Sequence, residues 1–325
     1  MQVEIQKAHA ASGARVAAGQ DLSVRVPATS ANLGPGFDSL GLAVTLYDTV
    51  RVRTTDSDGI RVRVAGEGAA VLPTDETHLV ARTIVDTIRR AGYAAGGFEL
   101  ECENVIPHGR GLGSSASAIV SGVLAGNALL PPSARLDAAG LLHACSALEG
   151  HPDNVAPALA GALAVSWEQE GIFRSVRAEV HPDIIPVAAV PATELSTESA
   201  RGLLPAMVPH RDAAANSGRA ALLMQALTAD PSLLSEGTED FLHQGYRAPA
   251  MAPSAQLITA LRAAGFAAVV SGAGPTVMTL AAGAEQADAA EAFLAAHLSG
   301  ENSGNWRVLR LGVDRDGARV VLHQR

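Results

Sequence analysis

The densest chemistry in the sequence lies in one run of eleven residues, Pro107-His108-Gly109-Arg110-Gly111-Leu112-Gly113-Ser114-Ser115-Ala116-Ser117. Glycines let a backbone approach an anion closely, and this run passes directly into an apolar segment expected to be helical over 114–129. The first N–H groups of that helix and its partial positive charge converge on one point, where the Ser114 and Ser115 hydroxyls also stand. The run reads as a phosphate cradle built without lysine. Its sub-pattern Gly111-x-Gly113-x-x-Ala116 also fits the dinucleotide fingerprint. That fingerprint needs a strand directly before it and a strand after its helix, whereas Asn104-Val105-Ile106-Pro107 intervenes and a second helix follows. A turn that only packs a helix closely would need neither three glycines nor paired serines.

A second cluster, Glu149-Gly150-His151-Pro152-Asp153-Asn154, sets two carboxylates, an imidazole and an amide within six residues after an expected helix over 134–148. Magnesium on nucleotide phosphates takes one or two protein carboxylates, so one of these could suffice. Asp153 or His151 could instead act as a general base, and a polar helix-to-strand turn has the same composition. A third run, Ser271-Gly272-Ala273-Gly274-Pro275-Thr276, lies between two apolar strands and reads equally as a hairpin loop or a second phosphate-side loop. Arg201 and Arg247 stand in polar surroundings, Ser196-Thr197-Glu198-Ser199-Ala200-Arg201 and His243-Gln244-Gly245-Tyr246-Arg247, where most arginines are surface residues. They gain weight from what the chain lacks, since Lys7 is its single lysine. No Walker-type, kinase-strand or Schiff-base lysine can stand in the folded body, so arginine must carry any anionic substrate.

The elements that must position these groups alternate strands, helices and hairpins, which makes the class α+β rather than a doubly wound parallel sheet. Strands are expected at 22–26 and 42–46 with a chemically ordered loop between them. A hairpin is expected from Thr49–Arg53 to Ile60–Val64 around Asp58-Gly59, its arginines forming a solvated sheet face. A helix over 75–91 and strands over 97–103 and 161–167 complete the first half. The second half reads as a strand over 185–190, helices near 194–204, 212–229 and 231–243, strands over 266–270 and 275–281, a helix over 284–298 and a hairpin around Asp316-Gly317. The apolar stretch 263–284 is interrupted by four glycines and a proline and reads as two buried strands, not a membrane span.

At 325 residues the chain exceeds what one core usually serves, so two domains are expected. The expected division is a disordered extension over 1–20, one domain over 21–170 and another over 171–325. With 48% hydrophobic and 18% charged residues the chain can bury sizeable cores, which excludes disorder as its main state. A net charge of −9 with scattered arginines argues against nucleic acid as a partner. Cys102 and Cys145 are too few for a zinc cluster or disulfide framework and fit a reducing cytoplasm, each as a small buried residue.

Taken in order, Pro27-Ala-Thr-Ser-Ala-Asn32-Leu-Gly-Pro-Gly-Phe-Asp38, the 107–117 run, the 149–154 cluster and the 271–276 run resemble the signature motifs of the GHMP small-molecule kinases. The likeness spans about residues 22 to 321. It implies an N-terminal domain like ribosomal protein S5 domain 2, a ferredoxin-like C-terminal domain and a nucleotide between them. Within the superfamily, the segments SANLGPGFDSLG, EGHPDNVAPALAGALAV, STESARGLLP and YRAPAM imply transfer of the ATP γ-phosphoryl group to the side-chain hydroxyl of L-homoserine, a step of threonine biosynthesis. The resemblance also implies that residues 107–117 wrap the ATP phosphates and that Ser114 and Glu149 hold Mg2+. It implies that Asn32, Asp38, His151, Asn154, Arg201 and Arg247 hold the amino acid, and that the active protein is a cytoplasmic homodimer without nucleic-acid or membrane partners. Asn154, Thr197 and Arg201 are the catalytic candidates, Thr197 lying one helical turn before Arg201. Related sugar and mevalonate kinases carry an aspartate where Asn154 stands, and an amide cannot be a general base, so catalysis would rest on positioning and electrostatics. The chemistry agrees independently: a zwitterion suits a carboxylate such as Asp38 for its ammonium and arginine forks for its carboxylate. A silent ligand-binding member and the decarboxylase branch of the same fold are the alternatives. The joint presence of Glu149, Arg201 and Arg247 speaks against the first, and the His-Pro-Asp-Asn arrangement against the second.

Overall fold

A computed structural model describes residues 13–299 and 305–323. The first half contains β1 (Asp21–Ala31), β2 (Leu40–Thr55), β3 (Ile60–Gly66), α1 (Leu79–Arg90), β4 (Gly97–Asn104), α2 (Ser114–Leu129), α3 (Ala138–Glu149), α4 (Val155–Ala160), β5 (Leu163–Gln169) and β6 (Ile172–Ala178). The second contains β7 (Ile184–Pro191), α5 (Thr197–Arg201), α6 (His210–Thr228), α7 (Leu234–Gly237), α8 (Gln244–Arg247), α9 (Ala252–Ala263), β8 (Ala267–Val270), β9 (Val277–Ala282), α10 (Ala284–His297), β10 (Trp306–Arg310) and β11 (Arg319–Leu322). The expected α+β class is borne out. A larger sheet runs β11-β1-β2-β4-β3, with β5 against the first part of β2 and β6 beyond it, and a four-stranded antiparallel sheet runs β10-β7-β9-β8.

The expected hairpin between 49–53 and 60–64 does not form, because β4 lies between the two segments, antiparallel to β2 and parallel to β3. The charges explain the choice. Arg51 and Arg53 face Glu101 and Glu99 across one ladder, and Arg61 and Arg63 face the same glutamates across the other. A direct hairpin would have set arginine rows side by side, which like-charge pairing disfavours. Phe98, Leu100 and Cys102 alternate with those glutamates and bury inward against α1 and α2.

The chain around Asp316-Gly317 is likewise not a hairpin. β10 pairs with β7 in the smaller sheet, whereas β11 crosses back and pairs with β1, Leu22 opposite Leu322. β6 also belongs to the larger sheet, turning from β5 at Glu170 and Gly171, both with positive φ. The expected division at 170/171 therefore leaves two strands of the larger sheet on its C-terminal side. Of the expected extension, residues 1–12 lie outside the described residues, but residues 13–20 are ordered: Val16 joins the first core and its N–H donates to Ala94. The helix expected over 231–243 is broken. Asp240 accepts from the N–H groups of Leu242, His243 and Gln244, which ends one short helix and starts another. Helix α9, which is not among the expected elements, has Pro253 in its first turn, where no N–H is missed.

One apolar cluster crosses the seam between the two sheets, combining Leu33, Leu40, Leu42 and Leu112 with Ala188, Leu223, Met278 and Leu280. The polar loops described below all sit at that seam. Cys102 and Cys145 are free and buried, and burial pushes both thiols up to about 12, which leaves them unreactive apolar fill. Among the described residues no helix is long and apolar enough to cross a membrane.

Gly41 in β2 lies against the turn that follows α3: a Cβ there would sit 1.8 Å from the Asp153 carbonyl oxygen and 2.8 Å from Pro157. Both neighbours are backbone or ring atoms, so neither can swing aside. Gly41→Ala is expected to destabilise the fold by about 1–3 kcal/mol, measured as a lowered urea midpoint; an unchanged midpoint would show that β2 can shift without strain.

Candidate active site

The run 107–117 forms the turn into α2. Gly109, Gly111 and Gly113 all have positive φ, and Gly113 is the N-cap residue, left-handed at φ 74°. A Cβ on Gly113 would come 2.0 Å from Thr29 Oγ1, so only glycine lets the turn lie on β1. The N-cap has no side chain to satisfy the first amides of α2, which leaves N–H groups at its start for an anion. Within this run Gly109, Gly111, Gly113, Ser114 and Ser115 line the main cavity. His108, Ser114, Ser115 and Ser117 line a second, apolar-walled cavity with His78, Leu79, Val80 and Ser121. Leu112 and Ala116 point into the apolar cores. Pro107 is buried and lines neither cavity.

Arg110 departs from the expected phosphate contact. Its guanidinium donates to the carbonyls of His108, Pro191 and Ala192 and to Glu194, so the side chain is a strut between the glycine run and the segment leading to α5. Leu195 N–H adds a backbone bond to Gly109.

The loop between β1 and β2 carries Asn32, Leu33 and Asp38, three non-glycine residues with positive φ. The strain is held by cross-links: Asn32 Oδ1 accepts from Asp38 N–H at 2.9 Å, and Asn32 Nδ2 donates to the Gly272 carbonyl at 2.8 Å. Asn216 of α6 donates to the Pro35 carbonyl. The third glycine run is thus not a free hairpin loop. Gly272 and Gly274 line the main cavity, and Ser271 Oγ bridges Ser30 Oγ and the Gly111 carbonyl, tying all three runs together.

The two arginines differ sharply. Arg201, the last residue of α5, makes a bidentate pair with Asp38 at 2.9 and 2.7 Å, and that bond raises its pKa. Arg247 is 1% exposed, and among the described residues no carboxylate lies within ion-pair distance of it. Its Nε has no hydrogen-bond partner, and burial together with Arg201 lowers its pKa. A buried cation with free donors calls for an anion.

The turn after α3 supplies the remaining wall. Gly150, left-handed at φ 91°, ends the helix directly after Glu149. Burial raises the Glu149 carboxyl above its usual range, and Ser115 Oγ donates to it at 2.9 Å. The hydroxyl that meets Glu149 is therefore that of Ser115 rather than Ser114. His151 Nδ1 lies 2.6 Å from Asp153 Oδ1. Burial opposes the His151 imidazolium, but the hydrogen bond and charge of Asp153 carry its pKa above the usual value. Asn154 Oδ1 accepts from Thr29 at 2.8 Å, which leaves its amide N–H groups as the donating end. Asn32, Asp38, His151, Asn154, Thr197, Arg201 and Arg247 all line the same cavity as Glu149 and the start of α2. Asp153, Leu195 and Ala273 join them there without having been singled out as binding residues.

Residues 78–162 match the GHMP kinases N terminal domain and residues 213–300 the GHMP kinases C terminal domain. The homoserine kinase of Streptomyces coelicolor is 53% identical over 299 residues, covering 92% of this chain and 94% of that one. That of Leifsonia xyli is 49% identical over 302 residues, covering 93% and 92%. Among solved structures, homoserine kinase from Cytophaga hutchinsonii superposes with a TM-score of 0.80 at 29% identity, covering 93% of this chain and 97% of that one. Mevalonate diphosphate decarboxylase from Staphylococcus aureus shares the fold alone, with a TM-score of 0.65 at 15% identity over 93% of this chain and 98% of that one. Sequence likeness across both halves and structural likeness across the whole chain meet in one conclusion: this chain belongs to the homoserine kinases of the GHMP kinase superfamily.

Proposed function

We propose that the chain transfers the γ-phosphoryl group of ATP to the side-chain hydroxyl of L-homoserine, giving O-phospho-L-homoserine and ADP, as a cytoplasmic homodimer. The observation that carries the amino-acid end is Arg247, a buried guanidinium with unused donors in a cavity that also holds Asp38. The substrate carboxylate is assigned to Arg247 and its ammonium to Asp38, with Asn32 and His151 beside them. The triphosphate is assigned to residues 109–115 at the start of α2. The purine is assigned to the adjoining apolar-walled cavity, where His78 Nδ1 and Ser121 Oγ are buried without partners.

In the reaction the homoserine oxygen forms a bond to the γ-phosphorus as the bond to the β,γ-bridging oxygen breaks, and the hydroxyl proton passes to the transferred group. Asn154 presents N–H rather than a base, so its part is to orient the oxygens, while the α2 amides and Arg201 meet the charge that develops on them. Thr197 stands one turn before Arg201 on the same cavity wall. No group of three or more His, Cys, Asp or Glu side chains is placed to hold a metal among the described residues, and the cation is assigned to ligands shared with phosphate. Glu149, with Ser115 against it and Ser114 adjacent, fits Mg2+ held by a single carboxylate. When bound, Mg2+ neutralises phosphate charge.

Arg247→Ala is expected to lower kcat/KM for L-homoserine by about 10²-fold or more, and to abolish the preference over 3-aminopropan-1-ol, which lacks only the carboxylate. A preference kept intact would move the carboxylate site elsewhere. Glu149→Gln is expected to raise the Mg2+ concentration needed for half-maximal ADP release by about 10-fold or more, and a wild-type metal response would remove Glu149 from the metal.

A further inference from the structure

Among the described residues Arg247 has one side-chain hydrogen-bond partner, and it is neutral. Its Nη1 lies 3.1 Å from His243 Nδ1. Arginine can only donate, so Nδ1 must accept, and the ring proton belongs on Nε2. Nε2 in turn lies 2.8 Å from the Gly34 carbonyl oxygen, which can only accept. Both contacts demand the same tautomer. The ring is fully buried and stacks on Phe37, centroids 5.1 Å apart. Phe37 also carries the Arg247 guanidinium 5.2 Å from its centroid and that of Arg201 at 5.8 Å. His243 therefore touches both the arginine and the loop that bears Asn32 and Asp38. Its own place is fixed by Asp240, which accepts from its backbone N–H at 3.0 Å. Burial keeps the imidazole neutral, with Arg247 acting in the same direction and Asp240, 3.6 Å from Nε2, acting against it.

We propose that His243, as its Nε2–H tautomer, is a positioning residue for the acceptor amino acid. It fixes the Arg247 guanidinium relative to the Asp38 loop, and so sets the distance between the sites for substrate carboxylate and ammonium. This rests on the assignment of the carboxylate to Arg247. The two isosteric variants divide the functions of the ring: His243→Asn keeps an acceptor near the Nδ1 position, and His243→Gln keeps a donor near the Nε2 position.

Steady-state kinetics of the full chain are expected to show KM for L-homoserine raised about 10- to 100-fold in His243→Gln, a smaller rise in His243→Asn, and an unchanged KM for ATP in both. A wild-type homoserine KM in His243→Gln overturns the proposal. An equal rise in both variants with a parallel loss of ATP affinity also overturns it, since that marks a merely structural side chain. Imidazole 15N NMR of the unsubstituted protein tests the tautomer without relying on variant folding, and an Nδ1–H form for His243 would be fatal. Preference for homoserine over 3-aminopropan-1-ol separates the two levels: kept in Arg247→Ala, it removes the carboxylate assignment itself. Lost there but kept in His243→Gln, it removes only the role of His243.

Discussion

Everything in the cavity depends on three loops meeting main chain to main chain. Thr29 N–H donates to the Leu112 carbonyl, Gly272 N–H to the Ala31 carbonyl and Thr276 N–H to the Arg110 carbonyl. At Gly111 the approach leaves no room for a side chain: a Cβ there would lie 2.2 Å from the Ser271 carbonyl oxygen. The glycines are therefore required twice over. They line the cavity on one side, and on the other they let the two halves of the molecule share one wall.

The charges are distributed with the same economy. Arg201 is satisfied by Asp38, Arg110 by carbonyls and Glu194, Arg51 by Asp21, Arg53 by Asp21 and Glu101, and Arg61 and Arg63 by Glu99 and Glu101. Among the arginines of the site only Arg247 is buried with donors unspent. The cavity of this acidic protein sets Arg201 and Arg247 beside Asp38, Glu149 and Asp153, so both signs of charge stand close together there, an arrangement suited to a small zwitterion.

What was legible in the sequence was the chemistry carried by backbone and by fixed spacing. The glycines and serines at 109–115 line the cavity at the start of α2, as their spacing before an apolar helix led one to expect, and Glu149 to Asn154 fall together because one turn holds them. The order of strands was not legible in alternation alone. Arg51 and Arg53 alternate with valines as well beside β4 as beside β3, and only the facing glutamates of β4 decide. Arg110 misled because a residue inside a phosphate run can have its backbone in the cradle and its side chain elsewhere. His243 was invisible as a histidine in a polar stretch, and its spacing of four residues from Arg247 was the one available signal.

The return of β11 to the first strand has a consequence for how the molecule is made. β1 lies open along one edge until residues 319–322 arrive, and the register Leu22 to Leu322 makes that contact among the most distant in sequence that the fold contains. Every helix and every other strand must be synthesised before the larger sheet is complete, so its edge stays bare throughout elongation, and the smaller sheet has its four strands in hand first. The last few residues to pair thus close the first element made, and the two halves end as a single clasped body.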